Sequence, residues 1–449
     1  MKKHIIAIVV SAVTFLLIFL FFSFHFKNAG NAVTPPAQSE ENQEILEAFQ
    51  NSIGQRTSYQ LQFPRSGSYR NAFIKVDLDG DGQNEVLAFY TTPATESLTR
   101  INVLDKQDDK WVSVLDQEGY GAAINSVDID DLNNDHVPEV ILTWDKGFSN
   151  EVRTLTVQEF SVDRHSNLQM DLLLDQDYKY MGLADMDGDA RNELLVVWPK
   201  TENSVERTYA SLFRMNGRKI EEYGKRAALD SEVSGYASLK FQKSGGRNIA
   251  MLDATKGENG MITEVIWWDK QKQALVAPFT DNDNLRNTAT YRSVKIPCRD
   301  INGDSKIDIP VAESGGLPAK TGSDETPLTR ICWYQVSVKG EQAQLLPQNY
   351  SFVDTANHYV FLIPYRLRRQ IVAARSTAGV STFYRAQAGG AEGQPLFSIV
   401  VKQQSSMTKA DTYTFRVNHG STVAYGTLTN VGSALGFSND SISQRIIFY

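Results

Sequence analysis

The chain has 449 residues, 41% of them hydrophobic and 22% charged, with a formal net charge of −8. That length accommodates two or three domains with ordinary cores. The acidic balance, without a basic stripe interleaved with exposed aromatics, argues against broad nucleic-acid binding, so no nucleic-acid partner is expected.

After Lys2 and Lys3, residues Ile5 to Phe24 carry no formally charged side chain. Twenty such residues in a helix rise about 30 Å, enough to cross a bilayer. Gly30-Asn31-Ala32 offers the small residues of a cleavage site, but the apolar run exceeds the usual core of about 7–15 residues in a signal peptide. The expectation is a transmembrane anchor in residues 1–27, single-pass in the cell membrane. The basic pair before it predicts a cytoplasmic N-terminus and an extracellular bulk. Residues 28–53 read as a tether centred on Pro35-Pro36, followed by a helix over Glu41 to Ser52 with Ile45, Leu46, Ala48 and Phe49 on its apolar side.

Beyond that helix the patterning is almost entirely strand. "DLDGDGQNE" at 77–85 concentrates four carboxylates around two glycines, and the arrangement recurs as "DLNNDHVPE" at 131–139, "DMDGDARNE" at 185–193 and "DINGDSKID" at 300–308. Oxygen-bearing side chains occupy positions 1, 3, 5 and 9 each time, and the starts are separated by 54, 54 and 115 residues. The last gap is close to twice the first, so one unit has lost its loop; "MLDATKGENGMITEVIWW" at 251–268 is the expected remnant. A short alternating segment precedes each loop ("NAFIKV", "AAINSV", "YMGLA", "RSVKIP") and another follows it. Tyr90, Trp144 and Trp198 hold the same place after the first three loops, which predicts a repeated packing aromatic; Glu313 breaks the pattern in the last unit. Four short strands per unit with regular turns predict a repeated antiparallel sheet that must stack on its neighbours.

These loops resemble those of FG-GAP and VCBS-type repeats, and the whole chain is similar to membrane-anchored proteins of Firmicutes that carry them. The resemblance implies an all-β protein with β-propeller-like blades of four strands over residues 54–349, followed by a small β-rich domain at 350–449.

The loop chemistry points the same way. Oxygens at positions 1, 3, 5 and 9 of a tight turn converge on one centre, and hard oxygen ligands in irregular geometry suit calcium better than the stricter octahedron of magnesium. The expected calcium ligands are Asp77, Asp79, Asp81 and Glu85; Asp131, Asn133, Asp135 and Glu139; Asp185, Asp187, Asp189 and Glu193; and Asp300, Asn302, Asp304 and Asp308. Carboxylates gathered without a counterion raise one another's pKa, a penalty that a bound divalent ion reverses.

Other chemistry is sparse. The six histidines form no local zinc pattern, and Ser406-Met407-Thr408-Lys409 matches an SxxK motif without its companions. Cys298 and Cys332 are the only thiols. In a simple meander they would lie two strand spacings apart, beyond the reach of a disulfide, so both are expected free. Arg366, Arg368 and Arg369 form a basic cluster that reads as a solvated turn. No catalytic constellation is evident. The expected function is an extracellular, membrane-tethered calcium-binding propeller that serves as a binding or structural module for an envelope protein or glycan. The alternative is a polysaccharide hydrolase or lyase, which would need two carboxylates in a cleft outside the metal loops.

Overall fold

The computed structural model describes residues 40–95, 98–147, 152–163, 167–313, 325–387, 392–408 and 412–449. Residues Ile5 to Phe24, on which the expected membrane anchor rests, lie outside them. Among the described residues no helix is long and apolar enough to cross a membrane, so the expected single-pass location is corrected. The longest helix among the described residues, Glu40–Ile53, has 14 residues and opens on Glu40 and Glu41. Its rise of about 21 Å is too short to span, and its apolar side is taken up by protein: Ile45 and Phe49 pack on Val86, Tyr90, Leu104 and Trp111.

The remaining described residues are predominantly β, built into six antiparallel sheets, with two short helices, Asn430–Ala434 and Asn439–Ser443, near the C-terminus. The first contains Gln60–Gln62, Phe73–Val76, Glu85–Thr91, Arg100–Gln107 and Lys110–Glu118. The second is a simple meander of Ala123–Asp130, Glu139–Asp145, Arg153–Val162 and Leu168–Tyr178. The third runs through Tyr180–Ala184, Glu193–Glu202, Val205–Asn216 and Lys219–Glu222, and the fourth through Val233–Ser244, Arg247–Lys256, Gly260–Asp269 and Ala274–Val276. Strands such as Glu139–Asp145 and Gly260–Asp269 are buried almost throughout, as sheets covered on both faces require.

The sheets stack face to face in chain order. Phe89 and Ile101 of the first meet Ile124 and Leu142 of the second; Ile141 and Leu155 of the second meet Leu194 and Phe213 of the third. Leu195 and Leu212 continue to Ala250 and Leu252 of the fourth, whose Met251 and Val265 meet Ile309 and Val336 of the fifth. The outward face of the first sheet is covered by the helix Glu40–Ile53.

The fourth sheet shows where the lost loop went. Residues 251–268 form no wide acidic loop: they make up most of two paired strands, with Met251 opposite Val265. The place between first and second strands, where the other units carry acids, is filled by Gly245-Gly246, both at positive φ. A two-residue turn joins those strands directly.

"RSVKIP" before the last acidic loop is no strand either. Arg292 instead bridges Met261 of the fourth sheet, and only Arg299 pairs with Asp308 ahead of the fifth. The cause is a buried ion pair: Arg292 and Asp253 are both 0% exposed, with Nη2 2.8 Å from Oδ1. Arg292 also donates to the Ile296 carbonyl and to Thr263 Oγ1, while Asp253 accepts from the Cys298 N–H.

The expected division at residue 349/350 falls inside the strand Gln342–Asp354, whose first half is largely exposed and whose last four residues are buried. The fifth sheet orders Asp308–Ala312, Thr329–Lys339, Gln342–Asp354, Tyr359–Ile363 and the returning C-terminal strand Ile446–Phe448. Glu325–Pro327, from ahead of that division, joins the sixth sheet beside Ile371–Ser376, followed by Val380–Ala386, Glu392–Gln403, Thr422–Gly426 and Phe415–His419. One core of Phe352, Phe361, Phe383 and Phe397 unites these two sheets.

Candidate metal centres

The first three acidic loops join the first strand of their unit to the second, the fourth leads directly into Asp308–Ala312, and all four close by equivalent hydrogen bonds. The position-1 aspartate accepts from backbone N–H groups three to five residues on, as Asp77 does from Gly80 and Gly82, and Asp131 from Asp135 and His136. Asp185 accepts from Gly188 and Ala190, and Asp300 from Gly303 and Ser305. Position 3 accepts from the N–H of position 5 (Asp79, Asn133, Asp187, Asn302), and position 5 from that of position 7 (Asp81, Asp135, Asp189, Asp304).

Positions 4 and 6 lie at positive φ in every copy. Glycine meets this requirement at Gly80 and Gly82, but Asn134, His136, Ala190 and Ser305 adopt it without glycine. An alanine there costs about 1 kcal/mol or more, so the turn is held by its side-chain contacts rather than by local preference.

The ninth residue closes the loop. Glu85, Glu139 and Glu193 use Oε2, and Asp308 Oδ2, to accept the N–H of position 2, at 2.6, 2.8, 2.9 and 3.2 Å. All four are at most 2% exposed. The other oxygen of Glu139, Glu193 and Asp308 is buried without a hydrogen-bond partner. Burial, with the neighbouring acids adding to it, pushes Glu85 and Glu139 up to about 7, Glu193 to about 8 and Asp308 to about 6. An orphaned carboxylate oxygen beside further carboxylates has the chemistry of a cation ligand.

Among the described residues, single oxygens of Asp77, Asp79 and Glu85, of Asp185, Asp187 and Glu193, and of Asp300, Asp304 and Asp308 come within 4.8 Å of one another. In the second loop Asn133 replaces an acid and donates to Asp135 Oδ2 at 2.9 Å. The donor set is all oxygen and mostly anionic, which fits a hard divalent ion.

A residue that loop spacing does not reveal faces each ninth acid from the third strand. Glu139 pairs with Glu159 and Asp308 with Gln335. One step beyond the pairs Val86–Leu104 and Leu194–Phe213, the corresponding residues are Asp105 opposite Glu85 and Arg214 opposite Glu193. Gln335 donates to Asp304 Oδ2 at 2.9 Å, and Glu159 is held by Arg218 at 2.5 Å.

The three aromatics occupy equivalent faces, each turned toward the preceding element. Tyr90 packs on Phe49 of the helix, Trp144 on Phe89 of the first sheet, and half-buried Trp198 against the core between the second and third sheets. The indoles of Trp144 and Trp198 donate to Thr156 Oγ1 and Ser211 Oγ, both at 2.8 Å. Cys298 and Cys332 are free and buried, on either side of Asp308–Ala312. Glu313 is paired with Arg330 at 2.9 Å.

No family model matches this sequence, and no curated protein matches it. Among solved structures, two of Sqt1 from Chaetomium thermophilum are similar at 8% identity, with TM-scores of 0.29 and 0.28, covering 78% and 77% of this chain and 93% of theirs. Sqt1 from Saccharomyces cerevisiae has 10% identity and a TM-score of 0.27, covering 78% of this chain and 85% of its own.

Proposed function

We propose that this chain is a calcium-binding repeat protein of the FG-GAP/VCBS kind, its stacked sheets forming propeller-like blades, and that it serves as a binding or structural module. The observation that carries this reading is the buried ninth carboxylate, closing each loop with one oxygen and, in Glu139, Glu193 and Asp308, presenting the other without a partner. Calcium would be held by the acids at positions 1, 3, 5 and 9, with Asn133 and Asn302 contributing neutral oxygens. The ion would supply positive charge that removes the carboxylate repulsion and braces the corner between two strands. Bracing matters here because the loops touch the next unit: Gly80 lies against Val137, and Asn133 donates to the Gly217 carbonyl.

A binding role is favoured over the polysaccharide hydrolase or lyase by the cavity of about 530 Å³ beside the first strands of the second, third and fourth sheets. A single carboxylate, Asp128, lines it, whereas glycoside hydrolysis ordinarily uses a flanking pair.

The test is metal analysis and thermal melting of the full chain. Equilibration with calcium is expected to leave three or four ions bound per chain, and chelation to lower Tm reversibly. No retained calcium together with an unchanged Tm on chelation overturns the reading.

A further inference from the structure

We infer that the cavity beside the first strands of the second, third and fourth sheets is a binding cleft for a neutral saccharide. This rests on the binding-module reading and names its site and ligand class. The cavity measures about 530 Å³, within the range of about 300–1,000 Å³ typical of small-molecule sites.

One wall is apolar and aromatic, formed by Tyr180, Met181, Tyr236, Leu239 and Phe241. Gly182 lets this wall pack closely: a Cβ there would come within 2.6 Å of Leu239 and 2.9 Å of Phe241, so a larger residue would push those side chains aside. The facing wall is polar. Asn125, Ser126 and Thr143 are tied to one another, Ser126 Oγ lying 2.6 Å from Thr143 Oγ1 and Asn125 Nδ2 3.2 Å from it. Ser66 accompanies them, its N–H and hydroxyl both donating to the Asn125 carbonyl.

Charge selects against an ionic ligand. Arg153 and Lys179 line the cavity together with Asp128, and Lys179 is already neutralised by Glu206 at 2.7 Å. Neither sign dominates. Asp128 is half-buried, has no ion pair to a described lysine or arginine, and is held above the ordinary carboxylate range by burial and by Asp130. The lining thus offers an acceptor (Asp128) and a donor (the guanidinium of Arg153) together with the flat aromatic surface of Tyr180 and Phe241. A pyranose presents both halves of that pattern: hydroxyls that donate and accept at once, and an apolar C–H face that packs on a ring.

The experiment titrates the full, calcium-equilibrated chain with neutral trisaccharides of glucose, mannose, galactose and N-acetylglucosamine, alongside glucosamine and glucuronate as charged controls. Calorimetry gives affinity, and saturation-transfer NMR identifies the protons in contact. At least one neutral trisaccharide is expected to bind, with the C–H face showing the strongest transfer. Tyr180→Ala and Asp128→Asn should each weaken it at least tenfold without altering calcium stoichiometry. Tyr180→Phe should retain most of the affinity, because the ring is kept. No saturable binding by any neutral member, preference for a charged control, or binding unchanged in both variants overturns the inference. Calcium stoichiometry, read on the same samples, reports separately on the metal loops.

Discussion

The guanidinium of Arg214 reaches into the third acidic loop, with Nη2 2.5 Å from Asp189 Oδ2 and Nη1 3.2 Å from Asp187 Oδ2. It comes from the third strand, opposite Glu193, where the first sheet places Asp105 and the fifth Gln335. The four loops share their closing hydrogen bonds but differ in the charge their sheet presents to them. A fixed cation competes with a mobile one, whereas an added carboxylate strengthens its hold.

The first prediction is an order of ion affinity, with the loop beside Asp105 tightest and the loop beside Arg214 weakest. Arg214→Gln should raise the affinity of the third site at least tenfold, and Asp105→Asn should lower that of the first. Site-resolved calcium titration by NMR or calorimetry reads both. Equal affinities at all four loops, unmoved by either variant, would show that the third strand has no part in the sites. Asp77→Asn with Asp79→Asn should abolish the first site and leave the other three.

A second prediction concerns pH. Without metal, Glu85, Glu139, Glu193 and Asp308 titrate above their unfolded values, at about 7, 7, 8 and 6. Between the unfolded value, about 4, and these, the folded chain holds more protons than the unfolded one, so stability falls as pH rises. Tm of the metal-free chain is therefore expected to decline from about pH 5 to pH 8. Calcium bound by these acids would displace those protons, so its affinity should climb over the same interval and flatten the decline. A metal-free Tm that rises across this window would contradict the buried position of these acids.

These two predictions separate what the sequence made legible from what it did not. Positions 1, 3, 5 and 9 are visible because each side chain bonds a backbone group within its own loop, so the constraint is local and the letters repeat. The opposing residue is set by strand register across the sheet, and Asp105, Glu159, Arg214 and Gln335 share no chemistry that would mark them as equivalent. Tyr90, Trp144 and Trp198 were readable through two-residue alternation, although only the structure shows that Tyr90 meets a helix where Trp144 meets a sheet. The doubled spacing disclosed a fourth unit, but the Gly245-Gly246 turn hid where its first two strands join, because a tight hairpin carries no acids to align. The return of Ile446–Phe448 to the fifth sheet is a long-range pairing that no local pattern encodes.

A third prediction follows from burial of the thiols. Cys298 is 0% and Cys332 2% exposed, and burial pushes both thiols upward, so neither is a ready nucleophile. A thiol-specific reagent such as Ellman's should label neither in the native chain at neutral pH and both in denaturant. Rapid native labelling of Cys298 would mean that the segment between the fourth and fifth sheets opens readily.

The last prediction tests how the fourth sheet is joined to the fifth without an acidic loop of its own. Arg292 and Asp253 are fully buried, and the pair draws in Thr263, Ile296 and Cys298, so its loss disconnects a segment as well as a charge. Removing one partner leaves the other as an uncompensated charge, which costs about 3–5 kcal/mol, whereas replacing both by apolar groups is often close to neutral. Arg292→Met alone should accordingly destabilise by that amount in chemical denaturation, with calcium stoichiometry at the first three loops unchanged. Adding Asp253→Leu should recover part of the loss. The recovery will be incomplete, because Ser238 Oγ, Thr263 Oγ1 and the Cys298 N–H all donate to Asp253 and lose their acceptor. Strictly additive losses in the double variant would show that the two charges do not stabilise one another, and that the segment at 292–298 is held by its apolar contacts alone.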